Sequence, residues 1–90
     1  MKTSVKQQAI FNLEKLTAKI ELISEEFSYE LYDEVLALYS QIEKSLPLLK
    51  DNVTAYKDTF WNAGDAFDDE QYYYSISLFN LVQNAFRELA

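Results

Sequence analysis

A chain with one Gly, at position 64, and one Pro, at position 47, has almost no means of turning tightly. Hairpin turns draw on residues that tolerate positive φ, so a β-rich fold needs more than one Gly in ninety positions. The apolar residues answer with steps of three and four, the spacing of one helical face. Ala9, Leu13, Leu16, Ile20, Ile23 and Phe27 form the first such stripe, and Tyr32, Val35, Tyr39, Ile42 and Leu46 the second. Leu49, Val53, Tyr56, Phe60, Ala63 and Phe67 form the third, and Tyr72, Ile76, Phe79, Val82, Phe86 and Leu89 the fourth.

The spacing therefore predicts an all-α domain of four antiparallel helices, near 4–26, 29–45, 48–66 and 69–89. The connections are short enough to force each helix to fold back on the one before it. Thr3 or Ser4 is placed to cap the first helix and Ser28 the second. Pro47 suits the first turn of the third, where a missing N–H costs nothing. Asp68 and Gln71 have the spacing of a capping box at the start of the fourth.

Residues 19–47 and 57–82 resemble tetratricopeptide repeats. Val35, Tyr39, Ile42 and Pro47 stand where the second helix of such a repeat has a small residue, an aromatic, an apolar residue and its closing Pro. Phe60, Ala63, Gly64 and Phe67 resemble the first helix of a repeat, with Ser75, Phe79 and Val82 in the second. The resemblance implies two helical hairpins and a groove for a helix or peptide. A four-helix bundle accounts for the same stripes, so both architectures are expectations of the sequence.

The residue inventory removes most chemistry. The chain has no His and no Cys, which takes away the usual proton shuttles, thiol nucleophiles and zinc ligands. Glu-x-x-His di-iron sites need the missing His, and a phosphate loop needs more than one Gly. None of the four apolar stripes carries a charge, so no buried carboxylate pair is expected to do acid–base work. The acids at 65–70 lack the spacing of a calcium loop. The expectation is a non-enzymatic chain without metal or cofactor. The absence of Cys, of a long apolar run and of a secretory pattern at the N-terminus points to a cytoplasmic protein with no membrane span.

What remains is charge and tyrosine. The net charge is −7. Residues 1–19 carry +3, residues 20–49 carry −6 and residues 50–90 carry −4. Such a surface repels nucleic acid and anionic lipid and attracts a basic protein. Glu26, Glu30, Asp33 and Glu34 share a helical face if the backbone stays near-helical across Ser28. Most of the acids at 65–70 read as negative charge at the start of the fourth helix, where the macrodipole favours it. With Asp68 taken up by the capping box, Asp65, Asp69 and Glu70 have no separate role in the fold and stand in surplus. Tyr72, Tyr73 and Tyr74 point about 100° apart around a helix, so Tyr73 or Tyr74, or both, are expected to be at least partly exposed. Trp61 flanks the third stripe beside Phe60. These ten residues, Glu26, Glu30, Asp33, Glu34, Trp61, Asp65, Asp69, Glu70, Tyr73 and Tyr74, are the candidate contacts for a basic partner, because exposed Tyr and Trp are enriched at the centres of interfaces. The composition points to a small inhibitor or immunity-type protein that masks a basic nuclease or toxin. A peptide-binding adaptor is the alternative from the repeat resemblance. A homodimer would instead use the apolar edges at Ile10 and Phe11 in the first helix and at Leu78 and Leu81 in the fourth.

Overall fold

The computed structural model describes residues 4–49 and 54–88. Those residues form four α-helices and no strand. They are α1 (Val5–Glu25), α2 (Tyr29–Ser45), α3 (Thr54–Asp68) and α4 (Tyr72–Arg87), with a 3₁₀ turn at Leu46–Leu48 between α2 and α3. The expected cap at Thr3 and the stripe positions Val53 and Leu89 lie outside the described residues.

Two helix starts follow the local chemistry of the sequence. Ser4 Oγ accepts the Gln7 N–H at 3.0 Å while the Gln7 side chain accepts the Ser4 N–H at 3.3 Å, a reciprocal capping box. Ser28 Oγ accepts the Leu31 N–H at 3.4 Å at the head of α2. The third start departs from expectation. Pro47 does not open α3 but sits inside the 3₁₀ turn, and Leu49 beyond it is extended. Pro47 has no N–H and its ring clashes with the preceding turn, so α2 stops there and tightens before the chain leaves it. Leu46 and Leu49 are nevertheless buried and hold this connection to the core.

The junction between α3 and α4 also differs from expectation. Asp68 is the last residue of α3, not the cap of α4. Gln71 is the N-cap of α4 and makes no side-chain capping bond. The Gln71 N–H instead donates to the Ala66 carbonyl at 2.8 Å, and the Glu70 N–H to the Phe67 carbonyl at 3.0 Å. This crossed pair is a Schellman ending. It places Glu70 at φ 63°, the left-handed position that Gly usually takes.

Close helix packing occurs between α1 and α2, between α1 and α4, and between α3 and α4. The helices α2 and α3 meet chiefly through rings. Tyr39 stacks on Phe60 at 4.4 Å between centroids, and Tyr32 on Phe67 at 5.6 Å. The described residues accordingly span 37 × 29 × 17 Å, flatter than a square bundle. Leu13, Leu16, Ile20, Ile42, Phe60, Phe79, Val82 and Phe86 are sealed from water at the centre. Three polar residues are buried with them. Ser75 Oγ donates to the Ala63 carbonyl at 2.7 Å, which ties α4 to α3. Gln83 Nε2 donates to the Ile10 carbonyl at 3.5 Å. Asn12 accepts from Gln8 at 3.2 Å and donates to Gln41 at 3.4 Å. No described helix is long and apolar enough to cross a membrane.

Candidate functional site

The turn between α1 and α2 and the turn between α3 and α4 lie at the same end of the molecule. A line of rings joins them: Phe27 meets Tyr32 at 6.2 Å, Tyr32 meets Phe67, and Phe67 meets Tyr72 at 5.8 Å. The two acid groups, separated by some forty residues in sequence, are thereby brought to one end. Glu26 closes α1, Glu30 lies in the first turn of α2, and Asp33 follows one turn later, all exposed. Asp65 and Asp68 lie in the last turn of α3, and Asp69 and Glu70 in the turn beyond it.

This placement reverses the electrostatic reading of the second group. The C-terminus of a helix carries partial negative charge and disfavours carboxylates. The last turn of α3 holds no basic residue to compensate, and the first turn of α4 holds no acid. Two ion pairs form among the described residues, Lys19 with Glu34 at 2.6 Å and Arg87 with Glu14 at 3.0 Å. Neither involves the acids at 65–70. Glu34 is thus tied to α1 by Lys19, apart from Glu26, Glu30 and Asp33.

Beside Asp65 and Asp68 the ring-filled seam between α2 and α3 leaves a small hollow of about 90 Å³. Val35, Leu36 and Tyr39 wall it from α2, and Gly64 and Phe67 from α3. Tyr39 lies against Gly64 in the space a side chain there would take. A Cβ there would lie 2.8 Å from both Cε2 and the hydroxyl oxygen of Tyr39. The Tyr39 hydroxyl is pushed up to about 12, first by burial and then by the negative charges of Glu43, Asp65 and Asp68. Burial also raises the Tyr72 hydroxyl, with Glu70 and Tyr32 adding to it.

A raised phenol disfavours the ionised form in the folded state. The contribution of Tyr39 is therefore complete below pH 10 and is lost as pH climbs towards 12. Thermal melts between pH 9 and 12 are expected to fall less steeply for Tyr39→Phe than for the parent. Equal slopes would remove Tyr39 as the group responsible.

The aromatic candidates are divided. Trp61 is 45% exposed and shares its face of α3 with Asp65 and Asp68, at steps of four and seven. Tyr73 and Tyr74 are 70% and 58% exposed. The 100° step turns both away from the Phe79 side of α4, and so away from the hollow. Tyr29 and Phe27 are exposed at the acidic end and meet edge to face at 5.0 Å. Of the apolar edges, Ile10 and Leu78 pack against the core, whereas Phe11 and Leu81 stay exposed. Lys15 Nζ lies 4.4 Å from the centre of the Phe11 ring.

No family model, curated protein or solved structure matches this chain. The site is therefore defined by its own residues. Sequence reasoning did not find Tyr39, Gly64 and Asp68 as site residues. Tyr39 and Phe67 looked like ordinary stripe residues, and Asp68 like a cap.

Glu70 supplies a direct check on the turn. A non-Gly residue in the left-handed region costs about 1–2 kcal/mol, partly offset by the greater freedom of Gly in the unfolded chain. Glu70→Gly is expected to raise stability by up to about 1 kcal/mol in urea titration. A loss of stability would contradict the Schellman geometry.

Proposed function

We propose that this chain is a non-enzymatic acidic protein-binding module. It covers a basic surface on its partner, in the manner of a small inhibitor or immunity protein that masks a basic nuclease or toxin. The observation that carries this reading is the position of Asp65 and Asp68. Two carboxylates are kept at the C-terminal end of α3, against the helix dipole, with no basic residue in that turn and no ion pair among the described residues. Folding alone gains nothing from that arrangement, and each carboxylate costs roughly 0.3–1 kcal/mol. A cationic partner reverses the sign of their contribution.

Glu26, Glu30, Asp33, Asp69 and Glu70 extend the negative surface around the same end, and exposed Phe27 and Tyr29 supply apolar contact area within it. Such a patch accelerates association with a basic protein through long-range attraction and leaves a strong dependence on salt. The test is capture from an extract of the protein's own source, followed by measured association rates at low and high salt. A basic partner whose association slows several-fold as salt rises is the expected result. The absence of a basic partner, or an association rate that ignores salt, overturns the reading.

The hollow between α2 and α3 favours a second reading, an adaptor of tetratricopeptide-like build that holds a helix or peptide by one side chain seated there. In that case the partner's affinity would depend on the apolar wall at Leu36 and Tyr39 and change little with salt.

A further inference from the structure

The hollow beside Tyr39 is too small for a helix and too apolar for a free ion. Its volume of about 90 Å³ is below the roughly 150 Å³ of a closed cavity that admits benzene. Being open on one side, it seats the inner part of one slender side chain and leaves the tip at its mouth. Its walls are aliphatic and aromatic: Val35, Leu36, Tyr39, Phe67 and Phe79. Both charges that line it are negative, Asp65 and Asp68, and neither makes an ion pair among the described residues. An apolar bed with carboxylates at its mouth complements a group that is apolar along its length and cationic at its tip.

We infer that this hollow is a receptor for a single lysine side chain projecting from a basic partner, its methylenes against Leu36 and Tyr39 and its ammonium between the Asp65 and Asp68 carboxylates. Lysine fits better than arginine because its stem is linear and its charge compact, while the guanidinium is a broad planar fork. Lysine also lays its methylenes on apolar surface while keeping its charge near water, and an open, half-lined hollow permits that. A neutral aliphatic chain would leave the two carboxylates without compensation, and an acidic one would be repelled. The inference rests on the reading of the chain as a binder of basic proteins, and it names the point where one contact would be made.

Nα-acetyl-lysine amide is the probe, titrated into the ¹⁵N-labelled full chain and followed by NMR. Gly64 is the only glycine, so its amide is easily recognised, and it lies in the wall of the hollow. The expected result is a saturable shift at Gly64 and at Val35 and Leu36. Nα-acetyl-norleucine amide, which has a comparable stem without the charge, should bind at least fivefold more weakly. Asp65→Asn with Asp68→Asn should weaken the lysine probe by a similar factor while leaving the rest of the spectrum in place.

Equal responses to the lysine and norleucine probes would overturn the inference and leave only an apolar hollow. So would an unaltered lysine response in the double variant, or shifts that avoid Gly64. These failures are distinct from failure of the broader reading. A partner captured in a salt-sensitive manner, alongside a silent Gly64, would place the contact on the outer acids instead.

Discussion

Phe60→Ala is expected to remove about 3–5 kcal/mol of stability, the usual cost of emptying a buried ring site. A domain of this kind has roughly 5–15 kcal/mol in total, so the variant should sit near the edge of folding. The reason lies in where Phe60 stands. It is fully sealed from water, stacks on Tyr39 at 4.4 Å and meets Phe79 edge-on at 5.8 Å. These contacts join three helices along a seam between α2 and α3 where the backbones are not closely packed. Collapse of neighbouring side chains into the vacated space is hindered, because Tyr39 and Phe79 are themselves braced against one another at 6.3 Å. Urea denaturation checks it. With a slope of about 1–1.5 kcal/mol/M, the midpoint should fall by about 2 M or more. A shift of about 0.5 M or less would show that the seam between α2 and α3 is not central to stability.

Gly64→Ala should destabilise the protein, although the same exchange in an ordinary helix stabilises by about 1 kcal/mol. The added methyl would stand 2.8 Å from the Tyr39 ring, well inside contact distance. A ring at the end of a free side chain could swing away at little cost. Here it is clasped between Phe60 and Phe79, so moving it opens the stack. Overpacking of this kind costs about 1–3 kcal/mol, and the broken stack adds about 0.5–1.5 kcal/mol. After the gain in helix propensity, a net loss of about 1–2 kcal/mol is expected. The sign is the test. In a Tyr39→Leu background, where no ring opposes the methyl, Gly64→Ala should revert to stabilising. Destabilisation that persists unchanged in that background would place the constraint at Gly64 somewhere other than Tyr39.

The helices themselves were legible because each has an apolar face at three-and-four spacing, and a chain this poor in Gly has little else to do with it. Ser4 and Ser28 announced their helix starts through side chains that bond locally, which sequence alone reveals. The end of α3 could not be read that way. Its left-handed residue is Glu70, where a Gly would have signalled a stop, while Asp68 and Gln71 imitated the start signal of the next helix. That single misplacement inverted the electrostatics, since the same carboxylates are favourable before α4 and unfavourable inside the last turn of α3.

The exposure of Tyr73 and Tyr74 followed from the helical step. The hollow did not, because it depends on Tyr39 reaching Gly64 across twenty-five positions of chain. Nor did the pairing of Glu34 with Lys19, which depends on the register of the α1–α2 hairpin.

Under the proposed function, Asp65 and Asp68 oppose folding and serve binding. The most direct test is the urea stability of Asp65→Asn with Asp68→Asn, measured beside the parent at low salt. A more stable protein is expected, by about 0.5–2 kcal/mol for the two sites together, with the gain shrinking as salt screens the dipole. A double variant less stable than the parent would contradict that reading, because the carboxylates would then belong to the fold and not to a partner.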